Sequence, residues 1–470
     1  GGIRDAHQVR MLARAVSRLP EARLKVMLDV NAPEEGWIMG QGFEDELTAA
    51  ARETLQPPPL RDDCFALPAG VDWTPVDEAL AMLQDRLHPV VGREDVSVSE
   101  AAGRILIEDV MAQRSNPPLP NTAVDGYGFA YEALGDGNQV LPLVEGRAAA
   151  GLAFEGSVPP GHAIRILTGA ALPNGVDTVI LQEDVTLGDG EIAFRPGVKP
   201  FANTRKAGED VKAGDVALQS GRKLTPADLA LASAVGVDRL PVFKQLKVAV
   251  LSTGDELVDA GQEAAPGQIY DANRPMLAAL IEQFGFDCLD LGRVPDDRET
   301  LRSHFDRAAR EADAIITSGG ASSGDEDHVS ALLTEAGAMA EWRVALKPGR
   351  PLALGLWQGV PVFGLPGNPV AALVCTLIFA RPAMALLSGQ GWMEPQGFDV
   401  PAGFAKNKKP GRREYLRARM RKGRAEVFKS EGSGRSSGLS WAEGLVELPD
   451  GELEITEGSP VRFIPFGSFL

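Results

Sequence analysis

The sequence predicts a multidomain α/β plus β protein, with one parallel-sheet domain carrying helices on both faces and small β-rich domains flanking it. Three observations carry this. From residue 247 short apolar runs alternate with helical patterns, as in "KVAVLSTGDEL", "NRPMLAALIEQFG", "LDLGRVPDD" and "DAIITSGG", and that alternation is the mark of βαβ units. Between two helices with the same Thr-Pro-x-Asp opening, the chain is rich in glycine and turn residues, as in "VEGRAAAGLAFEGSVPPGHAIRILTGA". Beyond about residue 395 the helix signals stop and strand-like runs are joined by glycine turns.

Taken in order, residues 5–18 read as a helix, "RLKVMLDV" as a strand and 43–55 as a helix. Pro57, Pro58 and Pro59 then make a stiff linker, and no chemistry is legible before residue 72. In "WTPVDEALAML" Thr74 is expected to cap, Pro75 to open the helix and Asp77 to favour its positive end. Thr225, Pro226 and Asp228 repeat the signature in a helix ending at Gly236. Asn273 starts a helix that Gly285 closes, and Asp296 with Glu299 is read as a capping box for "RETLRSHFDRAAREA". Helix 328–336 and the strand–loop–helix of "PVFGLPGNPVAALVCTLIF" complete the α/β unit.

The totals narrow the function. A chain of 470 residues, 44% hydrophobic and 24% charged, suggests two to four folded domains. A net charge of -18 speaks against a nonspecific nucleic-acid binder, though not against an anionic small molecule held by local Arg and Lys. Cys64, Cys288 and Cys375 are scattered and lack a C-x-x-C, so no disulfide framework or zinc site is expected and a reducing cytoplasm is. The start "GGIRDAHQVR" has no apolar h-region and no run of 18 apolar residues is read, so neither secretion nor a membrane span is expected.

Ligands of open α/β sheets bind outside the carboxyl ends of the strands. "STGDE", "SGGASSGDED" and "LPGNP" are all expected at that edge, and none of them matches G-x-G-x-x-G or a Walker loop. The second crowds Asp325, Glu326 and Asp327 beside glycines, an arrangement that needs a cation or ordered solvent to offset the repulsion.

Several stretches, in order over residues 72–470, together resemble the MoeA/gephyrin family of molybdopterin molybdenumtransferases: "NTAVDGYGF", "IRILTGAALPNGVDTVILQED", "NTRKAGEDVKAG", "STGDEL", "GQIYDANRPML", "SGGASSGDEDH", "ALKPGRPLALG" and "FGLPGNPVAA". The resemblance implies an elongated homodimer in which the partner chain's first two domains complete the site. It implies that molybdenum from molybdate is placed on adenylylated molybdopterin with release of AMP and with Mg²⁺. It divides the chain into an unassigned extension and linker at 1–71, an elongated α+β domain at 72–116 and 195–240, a small β domain at 117–194, an α/β molybdopterin-binding domain at 241–392 and a C-terminal β domain at 393–470. Handover to other cofactor-biosynthesis proteins is implied as well. A molybdopterin adenylyltransferase, a nucleotide amidohydrolase and a partner-anchoring scaffold are the rival readings.

Carried over residue by residue, the resemblance gives Asp125, otherwise an Asx-turn residue, a functional carboxylate. It makes the Thr168 hydroxyl a contact for an oxyanion or phosphate and Glu209 an active-site acid, with Arg205 able to meet a phosphate. Asp255 and Asp327 would share one Mg²⁺, which prefers oxygen ligands and bridges to phosphates, with Asp325 and Glu326 as solvated companions. Gly319 and Gly320 open the backbone to phosphate oxygens, and Ser252, Ser322 and Ser323 add donors. Lys347 and Arg350 would face one anion across a Pro-Gly turn, with Arg343 a further candidate. Pro366 and Pro369 would form the pocket floor, and Arg412 with Arg413 could help hold molybdate. Three positions depart from the family pattern: Glu443 where Asn is common, His328 where Tyr is frequent, and Ala371 where a small hydroxyl residue is common.

Overall fold

The computed structural model describes residues 73–319, 328–336, 339–342, 344–349 and 352–470. The helices and strand read in residues 5–55 and the proline linker lie outside the described residues.

Helix Val76–Arg86 starts one residue later than the sequence suggested. Pro75 occupies the N-cap, and no side chain caps the helix. Thr74 instead forms a parallel bridge to Val344, because its backbone is already committed to an extended neighbour. Helix Pro226–Ala234 follows the sequence closely: the Thr225 side chain accepts from the Asp228 N–H, the Asp228 carboxylate accepts from the Thr225 N–H, and Pro226 opens the helix. Between these helices, Arg93–Ser97 pairs antiparallel with Arg239–Phe243 over a core of Leu106, Val110, Leu224, Val235 and Val242. A six-stranded sheet occupies residues 126–194, with Gly126–Phe129 between Thr178–Leu181 and Ala163–Ile166.

The α/β region has strands β1 (Lys247–Thr253), β2 (Asp287–Val294), β3 (Ala314–Ser318), β4 (Met339–Trp342), β5 (Leu352–Trp357) and β6 (Val360–Leu365) in the order β2-β1-β3-β6-β5-β4. The first four run parallel; β5 and β4 are antiparallel to their neighbours, so the sheet is mixed rather than parallel throughout. The cause is the turn at Gln358 and Gly359, both with positive φ (50° and 86°). Two residues make a tight hairpin and leave no room for the crossover that a parallel pair needs. Helices α1 (Asn273–Gln283), α2 (Arg298–Glu311) and α3 (His328–Glu335) complete the region. Val248 and Val250 of β1 share a core with Leu277 and Ile281 of α1, while Ala249 and Leu251 share another with Leu301 and Phe305 of α2 and Leu332 of α3. This is the period-two alternation of a strand buried on both sides. The cap of α2 is Asp297, which accepts from the Thr300 N–H at 2.8 Å, and not Asp296.

Pro369–Leu387 is helical throughout, with a mean hydropathy of 2.1, so one stretch does have the length and apolarity to cross a membrane. Here 94% of it is buried inside the protein, and Arg381 lies in it. It is a core helix packed beneath β1, β3 and β6, sharing their cluster through Leu373, Leu377 and Met384.

In the C-terminal sheet, Leu346–Lys347, Arg413–Arg421, Gly444–Leu448, Pro460–Pro465 and Phe398–Pro401 follow one another. One short helix, Ser437–Trp441, interrupts the β pattern there.

Candidate functional site

Register places the ends of β1, β3 and β6 side by side: Ser252 pairs with Ser318, and Ser318 with Leu365. The chain leaves this rim through three loops, as the sequence suggested for "STGDE", "SGG" and "LPGNP". Gly319 sits at φ 91°, and a Cβ there would lie 2.4 Å from the Thr253 carbonyl oxygen. Glycine is therefore required twice over, for its backbone conformation and for the close approach of the loops that follow β1 and β3. Pro366 is buried and Pro369 opens the core helix, which sets the shape of the third loop.

Asn273, which the sequence reading used only as a helix start, ties these loops together. Its amide donates to Ser318 Oγ and to the Gly367 carbonyl, each at 2.7 Å, from a site only 6% exposed. Its own Oδ1 is buried without a partner, as are Ser252 Oγ, Thr253 Oγ1 and Thr317 Oγ1. Unsatisfied buried polar atoms are rare and costly, and four in one neighbourhood mark a rim kept polar. Asn273→Ala is expected to cost about 2 kcal/mol of stability through two lost hydrogen bonds. It should also raise KM more than it lowers kcat, a split that steady-state kinetics beside denaturant unfolding would read.

Asp255 is exposed just past β1 and faces Asp296 past β2. Asp255 Oδ1 accepts from the Asp296 N–H at 3.2 Å, and Asp296 Oδ2 accepts from the Asp255 N–H at 3.3 Å. Each carboxylate keeps an oxygen outside this exchange. The donor set is oxygen only, which suits a hard cation such as Mg²⁺; among the described residues no group of three or more His, Cys, Asp or Glu side chains is placed to hold a metal. Behind them Arg274 gathers Asp259, Asp271 (3.2 Å) and Asp290 (2.7 Å) and steadies the segment that leads from Asp255 to α1. Gly320, Ser322, Ser323, Asp325, Glu326, Asp327, Arg343 and Arg350 lie outside the described residues.

Lys347 is placed differently from the expectation that its head faces an anion across the Pro-Gly turn. Strand Leu346–Lys347 pairs with Arg413–Arg421, which draws the ammonium among carboxylates. Lys347 Nζ lies 2.7 Å from Glu431 and 3.5 Å from Glu414. Lys406 Nζ lies 3.2 Å from Glu414 and also binds Glu431. Two lysines and two glutamates thus close a square. Burial pushes the Glu431 carboxyl up, but its hydrogen bonds to Lys347 and Lys406 outweigh this and hold it below the ordinary value. Next to the square, the Arg417 guanidinium donates to the carbonyls of Arg435 (2.8 Å), Gly432 (3.1 Å) and Ser430. Loop 430–435 is thereby folded onto the start of the core helix, where the Val370 N–H donates to the Ser433 carbonyl at 3.1 Å.

Arg413 is not available for an oxyanion. It is bidentate to Asp77 at 2.6 and 2.8 Å and also binds Asp450 at 3.0 Å, and those acids hold its guanidinium firmly charged. Arg412 is half-buried beside it. Glu443 pairs with Arg421 at 2.8 Å, His328 opens α3, and Ala371 is buried in the core helix.

A second group forms around the strand Asn121–Thr122. This strand pairs with Thr204–Arg205, while the Thr122 N–H donates to the Ala170 carbonyl and the Gly169 N–H to the Thr122 carbonyl. Arg205 and the Thr168 turn are therefore on adjacent backbones. Asp125 Oδ1 accepts from the Thr168 N–H at 2.7 Å and from its hydroxyl at 2.6 Å. These two bonds, the hydroxyl's first, hold the Asp125 carboxyl below the ordinary value. Glu209 accepts from the Lys206 N–H at 2.9 Å and so shapes its own turn. Among the described residues no hydrogen bond or ion pair joins this group to the sheet rim.

Comparison with known proteins places this geometry. The family model for the MoeA N-terminal region (domain I and II) matches residues 74–236, that for a probable molybdopterin binding domain matches 249–385, and that for the MoeA C-terminal region (domain IV) matches 399–466. A Haemophilus influenzae protein named molybdopterin molybdenumtransferase is 38% identical over 403 residues, covering 84% of this chain and 99% of that protein. A Mycobacterium tuberculosis protein named molybdopterin molybdenumtransferase 2 is 34% identical over 386 residues, covering 78% and 93%. Among solved structures, the molybdopterin biosynthesis MoeA protein of Pyrococcus horikoshii OT3 superposes with a TM-score of 0.75 at 29% identity, covering 84% of this chain and all of that one (100%).

Proposed function

The chain belongs to the MoeA family of molybdopterin molybdenumtransferases, and from that premise we propose how its residues divide the work. It is a transferase of molybdenum cofactor biosynthesis. We propose that it takes molybdate and adenylylated molybdopterin, places molybdenum on the dithiolene sulfurs and releases AMP. The observation that carries the reading is the convergence of Asp255, Gly319, Asn273 and the Pro366–Pro369 loop on one rim, with Lys347 in the neighbouring square.

The pterin's phosphoryl end is assigned to that rim, where Gly319 with Gly320 lets backbone N–H groups approach and Ser252 and Ser322 add hydroxyls. Lys347 and Arg350 balance its charge, and Arg412 borders the anion pocket. Asp255 and Asp327 are the residues that would hold Mg²⁺, with Asp296 beside Asp255; when bound, the ion would neutralise charge on the adenylyl phosphate. Asp125, Thr168, Arg205 and Glu209 are assigned to the molybdate side, delivered by the partner chain of a homodimer. In this reading the α/β region, covered by helices on both faces, is the pterin-binding domain, and the domain limits are those implied by the resemblance. We place the reaction in the cytoplasm, the compartment that suits three scattered cysteines.

The test gives purified protein adenylylated molybdopterin, molybdate and Mg²⁺, and expects AMP release that depends on molybdate. AMP release without molybdate, or none at all, defeats the reading. A pH profile tests the Asp125 assignment. Thr168 lowers the Asp125 pKa, so Thr168→Val should raise it toward the ordinary carboxylate value. The carboxylate would then protonate at higher pH on acidification, and the acid limb of kcat/KM should move up, on top of whatever loss of rate at neutral pH follows from removing the Thr168 hydroxyl from the molybdate side. An unmoved limb removes Asp125 from the reaction.

A further inference from the structure

The square of Lys347, Lys406, Glu414 and Glu431 carries an inference that rests on the reading of Lys347 as a contact for the anionic substrate. Its two acids are not equivalent. Glu414 is on the sheet strand, its side chain is 8% exposed, and the register with Lys347 fixes it. Glu431 is 42% exposed and rides on the Ser/Gly loop 430–435. That loop meets the rest of the protein through its own carbonyls, which accept from Arg417 and from the Val370 N–H. So three donors here face parts of one loop: the two ammoniums face its carboxylate, and the Val370 N–H at the first turn of the core helix faces its Ser433 carbonyl. A cavity of about 180 Å³ lies alongside, lined in part by Lys347, Lys406, Arg417, Val370 and Glu431.

We propose that Glu431 is a tethered stand-in for the substrate's oxyanion. With Glu431 in place, its carboxylate occupies both ammoniums. With it swung out, one negative charge leaves the side of Lys347 and Lys406, beside a cavity that Arg417 also lines, and an entering anion meets more positive charge. Glu431 thereby sets the affinity of the site, because the anion binds only by exchanging it out. It also couples binding to the release of loop 430–435 from the core helix. The ligand chemistry is a tetrahedral oxyanion, which free molybdate and the phosphoryl group of AMP both supply.

The experiment titrates full-length protein with molybdate and separately with AMP, by calorimetry, in the wild type, Glu431→Gln and Lys347→Met. Removing the competing charge should tighten binding about three- to tenfold at low salt, with a steeper salt dependence. The ligand that shows the gain identifies the source of the oxyanion. Hydrogen exchange supplies a readout that a merely structural Glu431 would not move: saturating ligand should speed exchange of amides 430–435 in the wild type, and Glu431→Gln should show this without ligand. If Lys347→Met weakens binding but Glu431→Gln binds no tighter than wild type, the stand-in role is overturned and the Lys347 reading survives. If neither ligand depends on Lys347, both fall together.

Discussion

Asp255→Asn is expected to lower molybdate-dependent AMP release by about a hundred- to ten-thousand-fold, the several kcal/mol of charge stabilisation that a metal-binding carboxylate supports. The fold should not change. Asp255 is exposed, and its structural duty is to accept from the Asp296 N–H through one oxygen, which an asparagine carbonyl can also do. What the substitution removes is the negative charge, and hard divalent cations depend on that charge. Two measurements separate the outcomes: turnover with excess Mg²⁺, and the thermal midpoint. Full turnover in a folded variant would take Asp255 out of the metal site. Lost turnover with a midpoint lowered by many degrees would assign it to the scaffold instead.

Arg381→Ala is expected to cost about 3–5 kcal/mol of stability. Its side chain is fully buried in the core helix. Nε donates to the Phe469 carbonyl at 2.7 Å, Nη2 lies 3.3 Å from Gln390 Oε1, and the guanidinium sits 4.9 and 5.5 Å from the ring centres of Phe284 and Phe286. Burial draws its pKa down to about 10, the sign that the charge is held at a cost that carbonyl and aromatic partners only partly offset. Truncation leaves a cavity and an unmet carbonyl. Arg381→Met fills most of that volume without the charge, and should recover more than half of the loss in urea unfolding. If the two variants unfold alike, the polar contacts rather than the packing hold this corner together.

Much of this was legible in the sequence where chemistry is local. The reciprocal cap of Thr225 and Asp228 needs residues three apart, and it formed as read. The three loops at the strand ends followed from the βα alternation. The resemblance gave Asp125 and Thr168 a role each, but the bond between them, across 43 residues, was not read. Failures came where long-range pairing decides. "WQGV" holds a hairpin turn that makes β5 antiparallel, but its glycine also fits the end of a parallel strand. The apolar run from 369 to 387 was missed because prolines and Arg381 punctuate it. Glu431 and Lys347 are 84 residues apart, and nothing in "KSEGSGRSS" distinguishes an acid that binds two lysines from one in water. Arg413 read as an anion holder because the resemblance matched it to a basic family element; its acids come from positions 77 and 450.

The tie between Asp77 and Arg413 spans 336 positions of chain, and Thr74 reaches its bridge partner only at Val344. On the ribosome, helix Val76–Arg86 therefore emerges long before the groups that anchor it exist. Until strand Arg413–Arg421 has been made, its buried face of Val76, Ala79 and Leu83 has an incomplete seat, and closing so distant a contact is entropically slow. The first helix described is thus among the last to be locked, and the nascent chain must keep an apolar surface out of trouble for most of its synthesis.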